Sequence, residues 1–293
     1  LRAVPWRPAR PARRWRDYDT IVNAAAYTAV DSAETAEGRT TAWAINVTAL
    51  AALDAGLITP STVVNDAGTI NIADQDFDNA GKQAHGLVDL RRSLEVSSDV
   101  YYYLLGAKMN GTRQLQDWAG DFGLGKPTGI DIPGESEGLV PTPKWLNEAH
   151  KEEPKYYDPW VIGQNIQFAI GQGYFQASPL QMAVAYSALG NGGTVLKPQL
   201  MLQTEDAAGR VIKEAEPVVE GQVPIDPADR QVVMEGLHDA AQAPEGTSYK
   251  VFGGFPVQVA GKTGTAERQD EADQAWYAVL APYPDPEIAV VVT

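Results

Sequence analysis

Cysteine is absent from this 293-residue sequence, histidine occurs three times, and no apolar run approaches the ~18 residues that a membrane-spanning helix needs. Without cysteine the protein forms neither disulfides nor thiolate metal sites, which suits an extracytoplasmic protein and a cytosolic one equally. His85, His150 and His238 lie far apart in acidic or loop-like segments, so we predict surface histidines, no metal site and no cofactor. The basic start of the chain is not followed by the apolar core of a signal peptide, so we expect no export signal or anchor in this sequence.

Positive charge is scarce outside the first 16 residues. That segment contains six arginines and no acid, whereas the whole chain has a net charge of −15, so residues 17–293 carry −21. An acidic body argues against general nucleic-acid binding, and we predict no nucleic-acid partner. Residues 1–16 are rich in Arg and Pro and lack any helical or strand period, which predicts a disordered, solvated tail.

The most informative stretch runs from residue 255 to 267. Apolar residues alternate there with small or polar ones, as is typical of a strand, and the pattern continues into Lys262, Thr263, Gly264 and Thr265. Such a strand can hold a carboxylate through Lys262 and Thr265 and a peptide by backbone pairing, because Gly264 has no side chain to block the approach. The alternative is an ordinary edge strand that a lysine protects from aggregation. The stretch alone leaves both interpretations open.

Two motifs carry a family resemblance. Residues 262–264 form a Lys-Thr-Gly triplet, and Ser97 with Asp99 forms a Ser-x-Asp motif before an apolar, helix-like segment. With the surrounding residues, these motifs resemble the transpeptidase domain of class B penicillin-binding proteins. The resemblance implies that Ser97, Asp99 and Lys262 serve catalysis, the first two in proton transfer, and that residues 262–265 bind a stem-peptide or β-lactam carboxylate. From the residues alone, Ser97 and Asp99 can also be read as helix-capping residues.

The family's nucleophile motif is missing. In the family, Ser-x-x-Lys occupies the first turn of a helix and supplies a serine nucleophile with a lysine base. The segment Val47–Leu57, which we predict to be a helix closed by Gly56, resembles the continuation of that helix. The resemblance therefore places Ala42 at the serine position and Ile45 at the lysine position. Because neither side chain can perform the chemistry, we predict that this chain is impaired in acylation.

A second resemblance covers about thirty residues. Residues 17–47 begin with a strand-like run, Thr20 to Ala26, and resemble a strand and helix of dTDP-4-dehydrorhamnose reductases. The sequence lacks the Gly-rich turn that binds a dinucleotide phosphate and the family's Tyr-x-x-x-Lys pair, so we predict no working reductase. A further hypothesis is that this strand docks in the place of a family strand that the following domain lacks.

The first resemblance implies a fold of the penicillin-binding and β-lactamase-like class. This fold is mixed α/β, with an antiparallel sheet flanked by helices, and we expect it to be truncated at both ends. At 44% apolar residues the chain can bury the required core. The predicted organisation is a tail at residues 1–16, a Rossmann-like reductase fragment at 17–47 and a transpeptidase domain at 48–293.

The implied function is peptidoglycan D,D-transpeptidation through an acyl-serine intermediate, on the extracytoplasmic face of the cell membrane. Its expected partners are the peptidoglycan stem peptide, β-lactams, and proteins of cell division or elongation. One alternative is a non-catalytic module that binds peptidoglycan peptides and needs only the Lys262 strand. The other alternative is a reductase fragment.

Overall fold

The computed structural model describes residues 21–23, 41–151, 160–266 and 273–293. The predicted tail at 1–16, and residues 17–20 and 24–40 of the reductase-like segment, lie outside these ranges. The described helices are α1 (Thr41–Asp54), α2 (Leu90–Val96), α3 (Asp99–Lys108), α4 (Gln114–Asp121), α5 (Pro143–Ala149), α6 (Ile162–Ala169), α7 (Pro179–Gly190), α8 (Pro227–Gln242) and α9 (Tyr249–Phe252). The described strands are β1 (Ile21–Asn23), β2 (Val64–Asp66), β3 (Thr69–Ile72), β4 (Gln75–Asp78), β5 (Gly86–Val88), β6 (Thr194–Leu196), β7 (Gln203–Glu205), β8 (Val211–Glu214), β9 (Val219–Gln222), β10 (Ala260–Ala266), β11 (Gln274–Ala281) and β12 (Ile288–Val292).

The main sheet has four strands in the order β1-β12-β11-β10. The last three are antiparallel to one another, as predicted. β1 instead pairs in parallel with β12, with Ile21 opposite Ile288, so the sheet is mixed at that edge. Residues 21–23 of the predicted Thr20–Ala26 run thus form a strand that pairs with β12 of the main sheet.

The period of two along β11 separates two faces of the sheet. Trp276, Ala278 and Leu280 are buried on one face, where Leu280 approaches Gly190 at the end of α7. Tyr277 lies on the other face and stacks on Phe252 of α9, with ring centroids 5.2 Å apart. Both faces of the sheet are therefore covered.

Helix α1 lies at the centre of the domain. Residues 44–53 are all buried, and the helix contacts β10, β11, α3, α4, α6 and α8. A helix that is apolar all round is stable only in such a position. It ends as the sequence predicts, because Gly56 adopts a φ of 65° and the amide of Leu57 donates to the carbonyl of Ala52 at 2.9 Å.

The other helices pack around α1. Helix α2 packs on α8, and α3 packs on α6. Between α1 and α2 the chain forms two antiparallel pairs, β2 with β5 and β3 with β4. The junction of α2 and α3 is thereby held between these small pairs and the main sheet, which brings residue 97 close to β10.

Candidate active site

Ser97 lies at the junction of α2 and α3. It ends α2 in the left-handed conformation, with φ 58° and ψ 54°, and its amide donates to the carbonyl of Ser93. For a residue with a β-carbon this conformation costs roughly 1–2 kcal/mol, so the surrounding contacts must enforce it. Ser98, not Ser97, is the N-cap of α3, since its Oγ accepts from the amide of Tyr101. The interpretation of Ser97 as the N-cap of α3 is therefore wrong, since Ser97 is the C-cap of α2, and Asp99 occupies the first turn of α3.

Lys262 reaches Ser97 from strand β10. Its Nζ donates to Ser97 Oγ at 2.7 Å and to the carbonyl oxygen of Thr263 at 3.0 Å. Its side chain is 0% exposed, so it does not act as a solvated charge on an edge strand. The alternative interpretation of Lys262 as a surface guard against aggregation is thus wrong.

The buried position of Lys262 changes its proton affinity. Burial lowers the pKa of Lys262 from 10.5 to about 8, and the nearby negative charge of Asp99 opposes part of that shift. A lysine in this range exchanges its proton readily near neutral pH. The pair formed by Lys262 and Ser97 can therefore pass a proton between the lysine and a group bound beside the serine.

The strand beyond Lys262 presents polar groups at the edge of the sheet. Among the described strands β10 lies at one edge of the main sheet, opposite β1, and Thr265 is exposed while Thr263 and Gly264 are half-buried. The period of two places Lys262 and Gly264 on one face and the two threonines on the other. On its face of the strand, the ammonium group of Lys262 is hydrogen-bonded to Ser97 Oγ and to the carbonyl oxygen of Thr263.

Two further residues contact this strand. Thr263 Oγ1 donates to Thr247 Oγ1 at 2.9 Å, and Gln172 Nε2 donates to the carbonyl oxygen of Thr265 at 3.4 Å. The amide of Thr247 also donates to the carbonyl of Glu95 in α2 at 3.3 Å. Thr247 therefore links α2 to β10. Sequence reasoning missed Thr247 and Gln172 because no residue pattern gave either side chain a role and both approach the strand from distant segments.

The two positions assigned to the missing nucleophile motif lie in α1. Ile45 is 1% exposed and belongs to the apolar core. Position 42 falls in the first turn of α1, but its side chain lies outside the described part of the structure.

Neither a metal cluster nor a membrane-spanning helix is found in the described residues. No group of three or more His, Cys, Asp or Glu side chains could hold a metal ion there. In the same ranges, no helix is long and apolar enough to cross a membrane. His85, His150 and His238, which the sequence predicts to lie at the surface, are all half-buried, and His238 stacks on Tyr283 with ring centroids 4.2 Å apart.

The fold and the Lys262–Ser97 pair define a protein of the penicillin-binding and β-lactamase-like class. The chain belongs to the penicillin-binding protein transpeptidase family, whose domain model matches residues 46–293. This confirms the first resemblance, including its class B assignment and its fold. The comparisons give no support to the reductase resemblance of residues 17–47.

Three relatives illustrate the match. The chain is 33% identical over 261 residues to the peptidoglycan D,D-transpeptidase MrdA of Salmonella typhimurium, covering 83% of this chain and 40% of that protein. It is similar to Pseudomonas aeruginosa PBP2 in complex with WCK 5153, with a TM-score of 0.74, 30% identity, and coverage of 86% of this chain and 55% of that one. It is also similar to a chain of a peptidoglycan synthase complex that coordinates polymerization and crosslinking, with a TM-score of 0.70 and 30% identity. That match covers 82% of this chain and 39% of the other. The chain thus spans about two-fifths of the length of the curated relatives it matches.

Proposed function

We propose that this domain serves peptidoglycan cross-linking as a D,D-transpeptidase that binds penicillins. We also propose that the chain, which has Ala42 and Ile45 at the positions of the nucleophile and the base, is impaired in the acylation step. The observation that carries the proposal is the 2.7 Å contact between the fully buried Lys262 Nζ and Ser97 Oγ. Similarity to a peptidoglycan D,D-transpeptidase supports the reaction class. Residues 1–16 are then a tail, 17–47 a segment without an assigned activity, and 48–293 the transpeptidase domain.

Ser97, Asp99 and Lys262 would act in proton transfer. In an acyl-serine reaction the attacking hydroxyl loses a proton and the leaving amine gains one, so a relay between the two saves a separate exchange with water. Ser97 is suited to this relay because its hydroxyl accepts from Lys262 and can donate to a leaving nitrogen. Asp99 supports the charged state of Lys262 through its negative charge.

Residues 263–265 would bind the substrate. An extended peptide can add to the outer edge of β10, pairing with the backbone at Gly264 while a carboxylate meets the hydroxyls of Thr263 and Thr265. The positive charge of Lys262 lies directly behind this edge and lowers the electrostatic cost of a bound anion. A stem peptide or a β-lactam offers both features.

The impairment follows from Ala42 and Ile45. Neither side chain offers a hydroxyl nucleophile or a base, and loss of a nucleophile typically lowers catalysis by several orders of magnitude. The remaining site would bind and polarise a carbonyl group without forming an acyl bond.

Intact-protein mass after incubation with a penicillin tests the proposal. The unmodified chain should gain no covalent adduct, whereas the Ala42→Ser/Ile45→Lys double variant should gain one penicilloyl group per chain. Adding Lys262→Met to the double variant should slow labelling by at least about 100-fold, because the relay is lost. Circular dichroism of all variants establishes that each is folded.

An adduct on the unmodified chain would show that another residue is the nucleophile. A folded double variant that never labels would remove the transpeptidase proposal. Labelling unaffected by Lys262→Met would remove the proposed role of the relay.

A second candidate function is a non-catalytic module that binds peptidoglycan peptides. The outward position of β10 favours it, because peptide pairing at this edge requires neither Ala42 nor Ile45 to react. Isothermal titration with a D-Ala-D-Ala stem peptide should then show saturable, reversible binding to the unmodified chain that Thr265→Val weakens. Absence of binding to the folded chain contradicts this function.

We further propose that the protein acts at the extracytoplasmic face of the cell membrane beside proteins of cell elongation or division. The similarity to a chain of a peptidoglycan synthase complex supports this placement. Co-purification of the full-length protein with a peptidoglycan polymerase from membranes would test it, and a soluble cytoplasmic fraction without such a partner would contradict it.

A further inference from the structure

A buried carboxylate lies beneath the junction that carries Ser97. Asp66, at the end of β2, is 0% exposed, and its side chain accepts four hydrogen bonds from three residues. The amide of Gly68 donates to Oδ1 at 2.8 Å, Asn79 Nδ2 donates to Oδ1 and Oδ2 at 2.8 and 2.9 Å, and Ser98 Oγ donates to Oδ2 at 2.5 Å. In the described part of the chain no lysine or arginine forms an ion pair with Asp66. Neutral donors therefore solvate the carboxylate. In turn, the carboxylate orients the Asn79 and Ser98 side chains that donate to it.

Two of these donors also hold the start of α3. Asn79 Oδ1 accepts from the amide of Val100 at 2.9 Å, and Ser98 Oγ accepts from the amide of Tyr101 at 3.2 Å. Asn79 and Ser98 are 3% and 0% exposed. Each side chain thus contacts Asp66 with its donor and the first turn of α3 with its acceptor. Asp66 thereby selects the orientation in which both residues satisfy otherwise unpaired helix amides.

Ser97 is the residue immediately before this anchored turn. On its other side, the amides of Ser97 and Ser98 both donate to the carbonyl of Ser93, which ends α2. The backbone at Ser97 must therefore join two fixed ends, and it does so in the left-handed conformation. In this conformation Ser97 Oγ accepts a hydrogen bond from Lys262 Nζ at 2.7 Å.

We propose that Asp66, Asn79 and Ser98 are positioning residues, which hold Ser97 Oγ in hydrogen-bond contact with Lys262 by anchoring the start of α3. Asp66 and Asn79 belong to none of the motifs that point to the active site, and Ser98 is the unspecified middle residue of the Ser-x-Asp motif. Asp66 is 32 residues from Ser98 in the sequence. The proposal concerns the Ser97–Lys262 pair itself, although its catalytic meaning rests on the proposed function.

The titration of Lys262 tests the proposal in the chain as it exists, without any acylation. The lysine can be observed by NMR through ¹³C-labelled side chains, with Lys262→Met identifying its signal. Asp99 is the charged group that acts on Lys262, and it remains unchanged in every variant. Ser97→Ala removes an acceptor from the ammonium form, so its midpoint should fall by about half a pH unit or more.

Asp66→Asn should lower the Lys262 midpoint in the same direction as Ser97→Ala. The double variant Asp66→Asn/Ser97→Ala should show no larger shift than Ser97→Ala alone, because both changes act through one hydroxyl. Ser98→Ala, which leaves Asp66 with its other donors, provides a milder second variant if Asp66→Asn does not fold. Ser178→Ala is the matched control: it removes an N-cap serine from α7 and should lower stability without moving the Lys262 midpoint.

Three results would overturn the proposal. The first is a wild-type Lys262 midpoint in both Asp66→Asn and Ser98→Ala. The second is an additive shift in the double variant, and the third is a Ser97→Ala variant with an unchanged midpoint. Because these readings involve no penicillin, failure of the Ala42→Ser/Ile45→Lys variant to label removes the proposed function and leaves this test intact.

Discussion

Lys262 and Ser97 lie 165 residues apart in the sequence, yet Lys262 Nζ is 2.7 Å from Ser97 Oγ. A strand at the edge of the main sheet provides the lysine, and the junction of two helices provides the serine. The contact places a titratable amine in a fully buried position beside a hydroxyl. The free energy of unfolding should therefore depend on this pair and on the protonation state of Lys262.

The first prediction concerns pH and Lys262. The pKa of Lys262 is about 8 in the folded protein and 10.5 in the unfolded chain, so between these values the unfolded chain binds more protons. Stability contributed at this site therefore rises with pH through that window and is lowest below about pH 8. Relative to Lys262→Met, the wild-type free energy of unfolding should gain about 2 kcal/mol between pH 7 and pH 9.5. Urea denaturation of both proteins measures the difference, and a difference independent of pH would contradict the buried, shifted lysine.

The second prediction concerns the acceptor of that hydrogen bond. Ser97→Ala should lower the free energy of unfolding by about 2 kcal/mol at pH 7, since it deprives a buried ammonium group of a partner. The loss should be smaller at pH 9.5, where Lys262 is mostly neutral in the folded state. Equal losses at the two pH values would show that the bond does not depend on the charge of the lysine.

Ser187→Ala is the matched control for this serine, and its expected outcome is the opposite. Ser187 lies in α7, is 6% exposed, and its Oγ has no hydrogen-bond partner in the described structure. Removing an unsatisfied buried hydroxyl, with a better helix former in its place, should leave stability unchanged or raise it by up to about 1 kcal/mol. A loss above 1 kcal/mol would reveal a partner for Ser187.

The third prediction concerns the contact of α3 with α6. A β-carbon at Gly106 would lie 2.7 Å from the β-carbon of Ala169 and 2.9 Å from the carbonyl oxygen of Asn165. Gly106→Ala should therefore destabilise the protein by about 1–3 kcal/mol, because α6 must move away. Gly120→Ala, in α4, meets nothing within 4 Å and should instead stabilise by up to about 1 kcal/mol. Thermal unfolding distinguishes the two, and similar melting temperatures would contradict the close approach.

Several features of the fold were predictable because they depend on neighbouring residues. Ser178 and Asp226 cap α7 and α8 as their sequences indicate, each followed by proline in the first turn. Gly56 ends the central helix, and the Lys-Thr-Gly strand lies at the edge of the sheet. Capping, left-handed turns and strand periodicity arise from contacts within a few residues, so a sequence displays them directly.

The candidate site was predictable only in part. Its motif residues Ser97, Asp99 and Lys262 could be selected from the sequence, but their arrangement could not. Local rules favoured Ser97 as a cap, whereas the structure gives that role to Ser98 and places Ser97 in the left-handed conformation. The difference arises from distant residues: Asp66 accepts from Ser98 Oγ, and Asn79 accepts from the amide of Val100, so Ser98 is held in the N-cap position of α3.

By itself the sequence indicated the family of this protein, the motif residues Ser97, Asp99 and Lys262, and the prediction that Ala42 and Ile45 stand where the family has a serine and a lysine. Only the tertiary structure decided that Lys262 is buried, that its ammonium group is hydrogen-bonded to Ser97, and that Asp66 accepts hydrogen bonds from Asn79 and Ser98. The physical reason is that burial and hydrogen-bond direction depend on residues brought together from across the chain. A motif specifies the chemical groups, and the packing of distant segments sets their distances, their exposure to water and their proton affinity.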